Sequence, residues 1–183
     1  MSALTIFPLL FLCTLANAAE FKVLRPQQSG VTFVSKQMGV PVEGTFNKFT
    51  ARIVLDPAKP EQGKARIDID LASIDTGNTE VNMEVVGKDW FDAKTYPTAS
   101  FVSTAVKPLG QGRYAAQGKL TLKGKTQDTQ AIFTMEQKAD LLTLAGSFTL
   151  KRLAYGIGSG IWSDTDTVAD EVQVRFRFVI ATQ

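Results

Sequence analysis

Apolar and polar residues alternate along most of the chain. Ala65, Ile67, Ile69 and Leu71 are separated by Arg66, Asp68 and Asp70, so the segment has one apolar and one charged face. Period-two patterning of this kind predicts a half-buried β-strand. Val172 to Phe178 repeats it, with Gln173, Arg175 and Arg177 on the wet face. Leu142, Leu144, Gly146, Phe148 and Leu150 share a face of a third strand, and Tyr114, Ala116, Gly118, Leu120 and Leu122 a face of a fourth. Further strands are predicted at 31–38, 45–55, 99–107 and 126–136. Gly110-Gln111-Gly112, Gly124, Asp56-Pro57 and Lys59-Pro60 supply turn chemistry between them. About eight antiparallel strands make an all-β domain, either a sandwich or a closed barrel. One segment departs from the pattern: 78–88, with Val81, Met83, Val85 and Val86 after Thr76-Gly77-Asn78, predicts a short helix or helical loop.

The inward faces mix small residues (Ala65, Ala116, Gly118, Ala131, Gly146) with Phe, Leu and Ile. In a barrel, small inward residues either leave a lumen or relieve crowding against facing aromatics.

The first residues follow a different pattern. Leu4 to Leu15 is an uncharged apolar run broken by Pro8, and Ala16-Asn17-Ala18 follows it. This predicts a secretory signal peptide, 1–18, cleaved after Ala18, and a single mature domain, 19–183. The run is short for a bilayer span, so no integral membrane segment is expected in the mature chain. Cys13 follows Leu12 rather than a small residue, which argues against lipidation.

Composition then removes whole classes of chemistry. Hydrophobic residues are 44% and charged residues 21%, ordinary for a globular fold. Twenty Lys+Arg against 18 Asp+Glu leave a net charge of +2 with no basic stripe, so no nucleic-acid partner is expected. The chain has no histidine, and its one cysteine is Cys13. A His general base, a Ser-His-Asp or Cys-His site and His-ligated zinc or haem are therefore excluded. An enzyme would need Asp/Glu, Lys, Tyr or Ser chemistry, and no carboxylate pair or Ser-Lys motif stands out. No catalytic residue, metal or cofactor is expected. Gly156-Ile157-Gly158-Ser159-Gly160 lacks the Lys-Ser/Thr of a phosphate loop and predicts a turn or bulge. Asp164, Asp166, Asp170 and Glu171 lack the register of a calcium loop and predict a solvated acidic loop. Lys64, Arg66, Asp68 and Asp70 lie opposite Ile67 and Ile69, which is the reverse of a lipid-facing outer-membrane barrel.

Five motifs in order carry a resemblance. They are Val31-Thr32-Phe33-Val34-Ser35-Lys36-Gln37-Met38 with Val42-Glu43-Gly44-Thr45-Phe46; Ser73-Ile74-Asp75-Thr76-Gly77-Asn78; Lys88-Asp89-Trp90-Phe91-Asp92-Ala93 with Tyr96-Pro97 and Ser100-Phe101-Val102-Ser103; Gly118-Lys119-Leu120-Thr121-Leu122-Lys123-Gly124; and Lys151-Arg152 with Tyr155-Gly156-Ile157-Gly158 and Asp170-Glu171-Val172. Together they resemble the YceI family, lipocalin-like periplasmic proteins that bind polyisoprenoid lipids. The resemblance covers nearly the whole mature chain. It implies an extended eight-stranded antiparallel lipocalin-like barrel with one short helical segment. It also implies an elongated apolar cavity for an isoprenoid-type lipid, polyprenyl or quinone-like, with a periplasmic location and a possible homodimer. The chain departs from the family where relatives often have His: it carries Gln37, Glu84 and Lys123 at those positions.

Candidate ligand residues follow from that resemblance. Trp90 and Phe91 form either a wall or lid of a lipid tunnel or a plug joining helix to barrel. Phe33, Phe46, Phe101, Phe133, Phe148, Phe176 and Phe178 either line a cavity or fill it, as do Ile67, Ile69, Leu120 and Leu122. Trp162 either closes a barrel mouth or anchors its loop. Lys36, Lys123 and Arg152 are headgroup candidates if the head is anionic; otherwise they are solvated surface charges. The leading expectation is a non-enzymatic periplasmic lipid carrier. The alternative is an envelope interaction or stress-related module with a filled barrel and no lipid cargo.

Overall fold

The computed structural model describes residues 20–182; the predicted signal peptide, 1–18, lies outside them. Eleven strands form one antiparallel sheet. The first half of the chain supplies β1 (Val23–Leu24), β2 (Gly30–Gln37), β3 (Val40–Phe46), β4 (Phe49–Val54), β5 (Lys64–Asp70) and β6 (Ile74–Asp75). The one α-helix among the described residues, α1 (Thr79–Val85), follows. The second half is a meander of long strands: β7 (Thr98–Gly110), β8 (Arg113–Leu122), β9 (Lys125–Lys138), β10 (Leu141–Lys151) and β11 (Glu171–Ala181).

The all-β class with one short helix agrees with the sequence, but the count of eight strands needs correction. The predicted strand 45–55 is two strands. Phe46 ends one, Asn47 and Lys48 turn the chain, and Phe49 begins the other. The first of the two begins at Val40, where Pro41, Glu43 and Gly44 dilute the alternation. The two-residue strands β1 and β6 are too short for any periodicity to register.

Connectivity makes the sheet curl. Its strand order is β4-β5-β7-β8-β9-β10-β11-β2-β3-β6, with β1 added against β11. β3 and β4 thus lie near opposite ends of the path, yet only Asn47 and Lys48 join them. Leu71–Ser73, three residues, is a similarly short link from β5 to β6. Both links require the two ends of the sheet to come together. The links are bonded to each other, with Asn47 N–H donating to Ser73 O at 3.0 Å and Asp70 N–H to Lys48 O at 3.0 Å. Phe21 adds a bridge to Leu55, beyond β4. The result is a curled, barrel-like sheet closed by crossovers rather than by a continuous ladder.

Parity then sorts the side chains. On β5, Ala65, Ile67 and Ile69 turn inward, while the outward Arg66 and Asp68 pair at 2.8 Å. On β11, Val174, Phe176 and Phe178 face in and Arg175 and Arg177 face water. A β-bulge between Ser103 and Ala105 shifts the register of β7, so that Val106 joins Ala99, Phe101 and Ser103 on the inner wall.

The small inward residues divide between their two possible roles. A Cβ on Gly146 would lie 2.6 Å from Phe176 Cζ, and one on Gly118 would lie 2.6 Å from Phe101 Cε2, so these glycines make room for phenylalanine rings. Ala65, Ala116 and Ala131 instead line open space.

Candidate functional site

Two contiguous cavities run through the interior. The deep one, about 120 Å³, is walled only by carbon. The outer one, about 460 Å³, extends toward α1 and the loop after β10. Val31, Ile69, Ala99, Leu120, Phe148 and Val174 line both and form the waist between them. The exposed lining residues Gln37, Glu80, Val81 and Glu84 mark where the outer cavity opens to solvent.

All fourteen apolar candidates face this space. Ile67, Phe101, Phe133, Phe176 and Phe178 line the deep cavity. Ile69, Leu120 and Phe148 stand at the waist. Phe33, Phe46, Phe91 and Leu122 line the outer cavity with Trp90 and Trp162. Their aromatic rings are held by one another: Phe33 lies 5.7 Å from Phe46, Phe46 lies 6.2 Å from Phe91, and Trp90 lies 5.5 Å from Trp162. A lipid chain in such a channel needs no hydrogen bonds, and each 100 Å² of apolar surface withdrawn from water contributes about 2.5 kcal/mol.

The three cationic candidates occupy different environments. Lys36 is exposed and lines neither cavity; its neighbours Ser35 and Gln37 face inward instead. Lys123 sits with Gly124 in the two-residue turn between β8 and β9, both residues at positive φ. Its Nζ donates to Lys88 O at 2.9 Å and Gly156 O at 2.8 Å. Burial lowers the Lys123 pKa, while the Asp92 and Asp89 carboxylates oppose that shift. The ammonium therefore clamps two loops together and does not line the channel.

Arg152 does line the outer cavity, and its residue is only 1% exposed. Every guanidinium N–H is already committed. Nε donates to Ala169 O, Nη1 to Ile157 O and Gly158 O, and Nη2 to Trp162 O and Val168 O, at 2.6 to 3.1 Å. A guanidinium has five N–H donors, so these five carbonyls saturate it. Burial lowers the Arg152 pKa, and Asp170 opposes the shift. The predicted turn at Gly156–Gly160 is thus part of a cradle for this cation. A Cβ on Gly158 would strike Arg152 Nη1, and Gly158 also needs its positive φ of 73°, as Gly156 needs its φ of 71°.

The motifs that are separate in sequence converge here. Gly158 and Ser159 N–H both donate to Asp89 O at 2.8 Å, which ties the Arg152 loop to the Trp90 segment. The guanidinium carbon lies 5.6 Å from the centre of the Trp90 ring. Trp162 spans the mouth, its Nε1 donating to Glu84 Oε1 of α1 at 3.1 Å. Trp90 Nε1 is buried with no partner among the described residues.

The sequence reading missed the waist residues Val31, Ala99 and Val174, which strand parity with Phe33, Phe101 and Phe176 would have identified. It also missed Glu80, and it noted Glu84 only as a departure from the family pattern. Their i, i+4 spacing, beside Val81 and Val85, places them on one helical face. Among the described residues, no group of three or more His, Cys, Asp or Glu is placed to hold a metal, and no helix is long and apolar enough to cross a membrane.

Known proteins share this architecture. The crystal structure of Burkholderia cenocepacia BcnA matches with a TM-score of 0.83 at 49% identity, over 85% of this chain and 98% of that one. A polyisoprenoid binding domain from Saccharophagus degradans, implicated in plant cell wall breakdown, matches with a TM-score of 0.66 at 20% identity, over 91% of this chain and all of that one, a likeness of fold alone. A UPF0312 protein of Pseudomonas putida (strain W619) is 36% identical over 127 residues, 67% of this chain. The match spans 66% of that relative's own length. The YceI-like domain family matches residues 23–180, in keeping with the curled sheet and the five ordered motifs, and the chain belongs to that family.

Proposed function

We propose that the chain is a non-enzymatic, periplasmic binding or carrier protein for an isoprenoid-type lipid, polyprenyl or quinone-like. The observation that carries this is the pair of adjoining cavities, about 460 and 120 Å³, lined by Phe, Ile, Leu and Val. The deep one offers a ligand only apolar contact, which suits a branched hydrocarbon tail. The name of the Saccharophagus degradans neighbour, a polyisoprenoid binding domain, supports the same ligand class. A packed interior would have favoured an interaction module without cargo, and the channel weighs against that alternative. The secretory signal predicted at 1–18 supports the periplasmic location.

The test is mass spectrometry of an organic extract from protein purified, under mild conditions, from its own periplasm. A stoichiometric isoprenoid is the expected result. A clean extract, from protein that also fails to take up added isoprenoids, overturns the proposal.

A further inference from the structure

The polar end of the channel restricts what head the lipid carries. Besides the indoles of Trp90 and Trp162, the polar residues lining the outer cavity are Ser35, Gln37, Thr76, Glu80, Glu84 and Arg152. Lys36 and Lys123 are not among them. Lys64 touches the deep end through carbon alone, and its side chain is exposed. Among the described residues, Arg152 is the one cation lining the outer cavity, and its five N–H groups all bind backbone carbonyls. Its charge already feels the Asp170 carboxylate, and Trp162 accepts from Arg152 through its carbonyl while donating to Glu84 through its indole. An entering phosphate would find no vacant cationic donor among the described residues.

It would also meet two carboxylates. Glu80 and Glu84 lie one turn apart on α1, both exposed and both lining the opening. Glu80 accepts no side-chain hydrogen bond among the described residues, and Glu84 uses one oxygen for Trp162. Carboxylates repel an anionic head and bind a hydroxyl through a charge-assisted O–H···O⁻ bond.

We infer that this channel selects a lipid with an uncharged, hydroxyl-bearing head, an isoprenoid alcohol or phenol, and that Glu80 and Glu84 are the residues that set this preference. The inference rests on the lipid-carrier proposal and narrows it. The head lies at the α1 mouth, donating its hydroxyl proton to a carboxylate, and the tail runs past Ala99 and Leu120 into the deep cavity.

The experiment compares three ligands of one tail: geranylgeraniol, its methyl ether and its monophosphate. Binding to the mature protein is followed by the fluorescence of Trp90 and Trp162, the only two tryptophans in the chain. The alcohol is expected to bind about tenfold or more tighter than the phosphate, a difference well within reach of like-charge repulsion. It is also expected to bind tighter than the ether, which accepts hydrogen bonds but cannot donate. In the double variant Glu80→Gln with Glu84→Gln, the gap between alcohol and phosphate is expected to close. Both sites are exposed, and glutamine at 84 keeps an acceptor for Trp162, so folding is expected to survive. Equal or tighter binding of the phosphate, or an unchanged gap in the double variant, overturns this inference and leaves the carrier proposal standing. Failure of all three ligands to bind overturns both.

Discussion

Arg152 is the residue on which the outer site depends. A buried cation without a contacting carboxylate is costly, and here five carbonyl oxygens solvate it in place of water. Those carbonyls come from Ile157, Gly158, Trp162, Val168 and Ala169, so the guanidinium fixes the whole loop that carries Trp162. Arg152→Lys keeps the charge but offers three donors from one point, leaving at least two carbonyls unpaired. At about 1–3 kcal/mol for each buried unsatisfied group, the variant is expected to lose about 2–6 kcal/mol of stability. Urea unfolding with an unchanged slope reports the loss. A loss below about 0.5 kcal/mol would mean that the loop holds its shape without the guanidinium. The sequence placed this arginine at the site and left its partners open. An Arg beside a glycine-rich loop reads as an anion-binding group or, more commonly, as a surface charge, because the carbonyls that surround it belong to residues 157–169 of the loop between β10 and β11. The aromatic candidates were easier to read, since strand parity alone sends Phe33, Phe101, Phe148 and Phe176 to the same side.

At the scale of elements, α1 is the weak part of the wall. Seven residues are too few for a helix to persist on its own in water. Its termini and neighbours hold it. Asn78 Oδ1 accepts from Glu80 N–H at 2.9 Å and Val81 N–H at 3.2 Å. Asn82 Oδ1 accepts from Thr76 N–H at 2.9 Å and from its hydroxyl at 2.7 Å. Asn78→Ala removes the cap, worth about 1 kcal/mol. The variant is expected to exchange the amide hydrogens of α1 faster, with the long strands β7 to β10 unaffected. Hydrogen exchange resolved by residue checks this; uniform acceleration over the whole sheet would mean that α1 is not an independent unit. The helix was readable from Val81, Val85 and the preceding Asn, because cap and spacing agree. The division of 45–55 into β3 and β4 was not, because Phe46 and Phe49 both look like strand residues. What separates them is the closure of the sheet, a tertiary demand on Asn47 and Lys48.

At the scale of the molecule, the two cavities act as one channel only if the waist admits the tail. Ala99 is the small residue there, buried beside its register partner Ile69 of β5. Ala99→Phe puts a ring into the passage without touching the mouth, at an overpacking cost of about 1–3 kcal/mol. Ligand that binds only the folded state raises stability by about 2.7 kcal/mol at a hundred times its Kd, so melting temperature reads affinity. In the unsubstituted protein, a long isoprenoid alcohol is expected to raise Tm well above the rise produced by a short one, because the longer tail buries more apolar surface. In Ala99→Phe the long and short alcohols are expected to raise it equally, since the outer cavity alone remains and both heads still reach Glu80 and Glu84. A variant that keeps the full chain-length dependence would place the tail elsewhere than past Ala99. A variant that binds neither alcohol would mean that the outer cavity does not hold a ligand without the deep one.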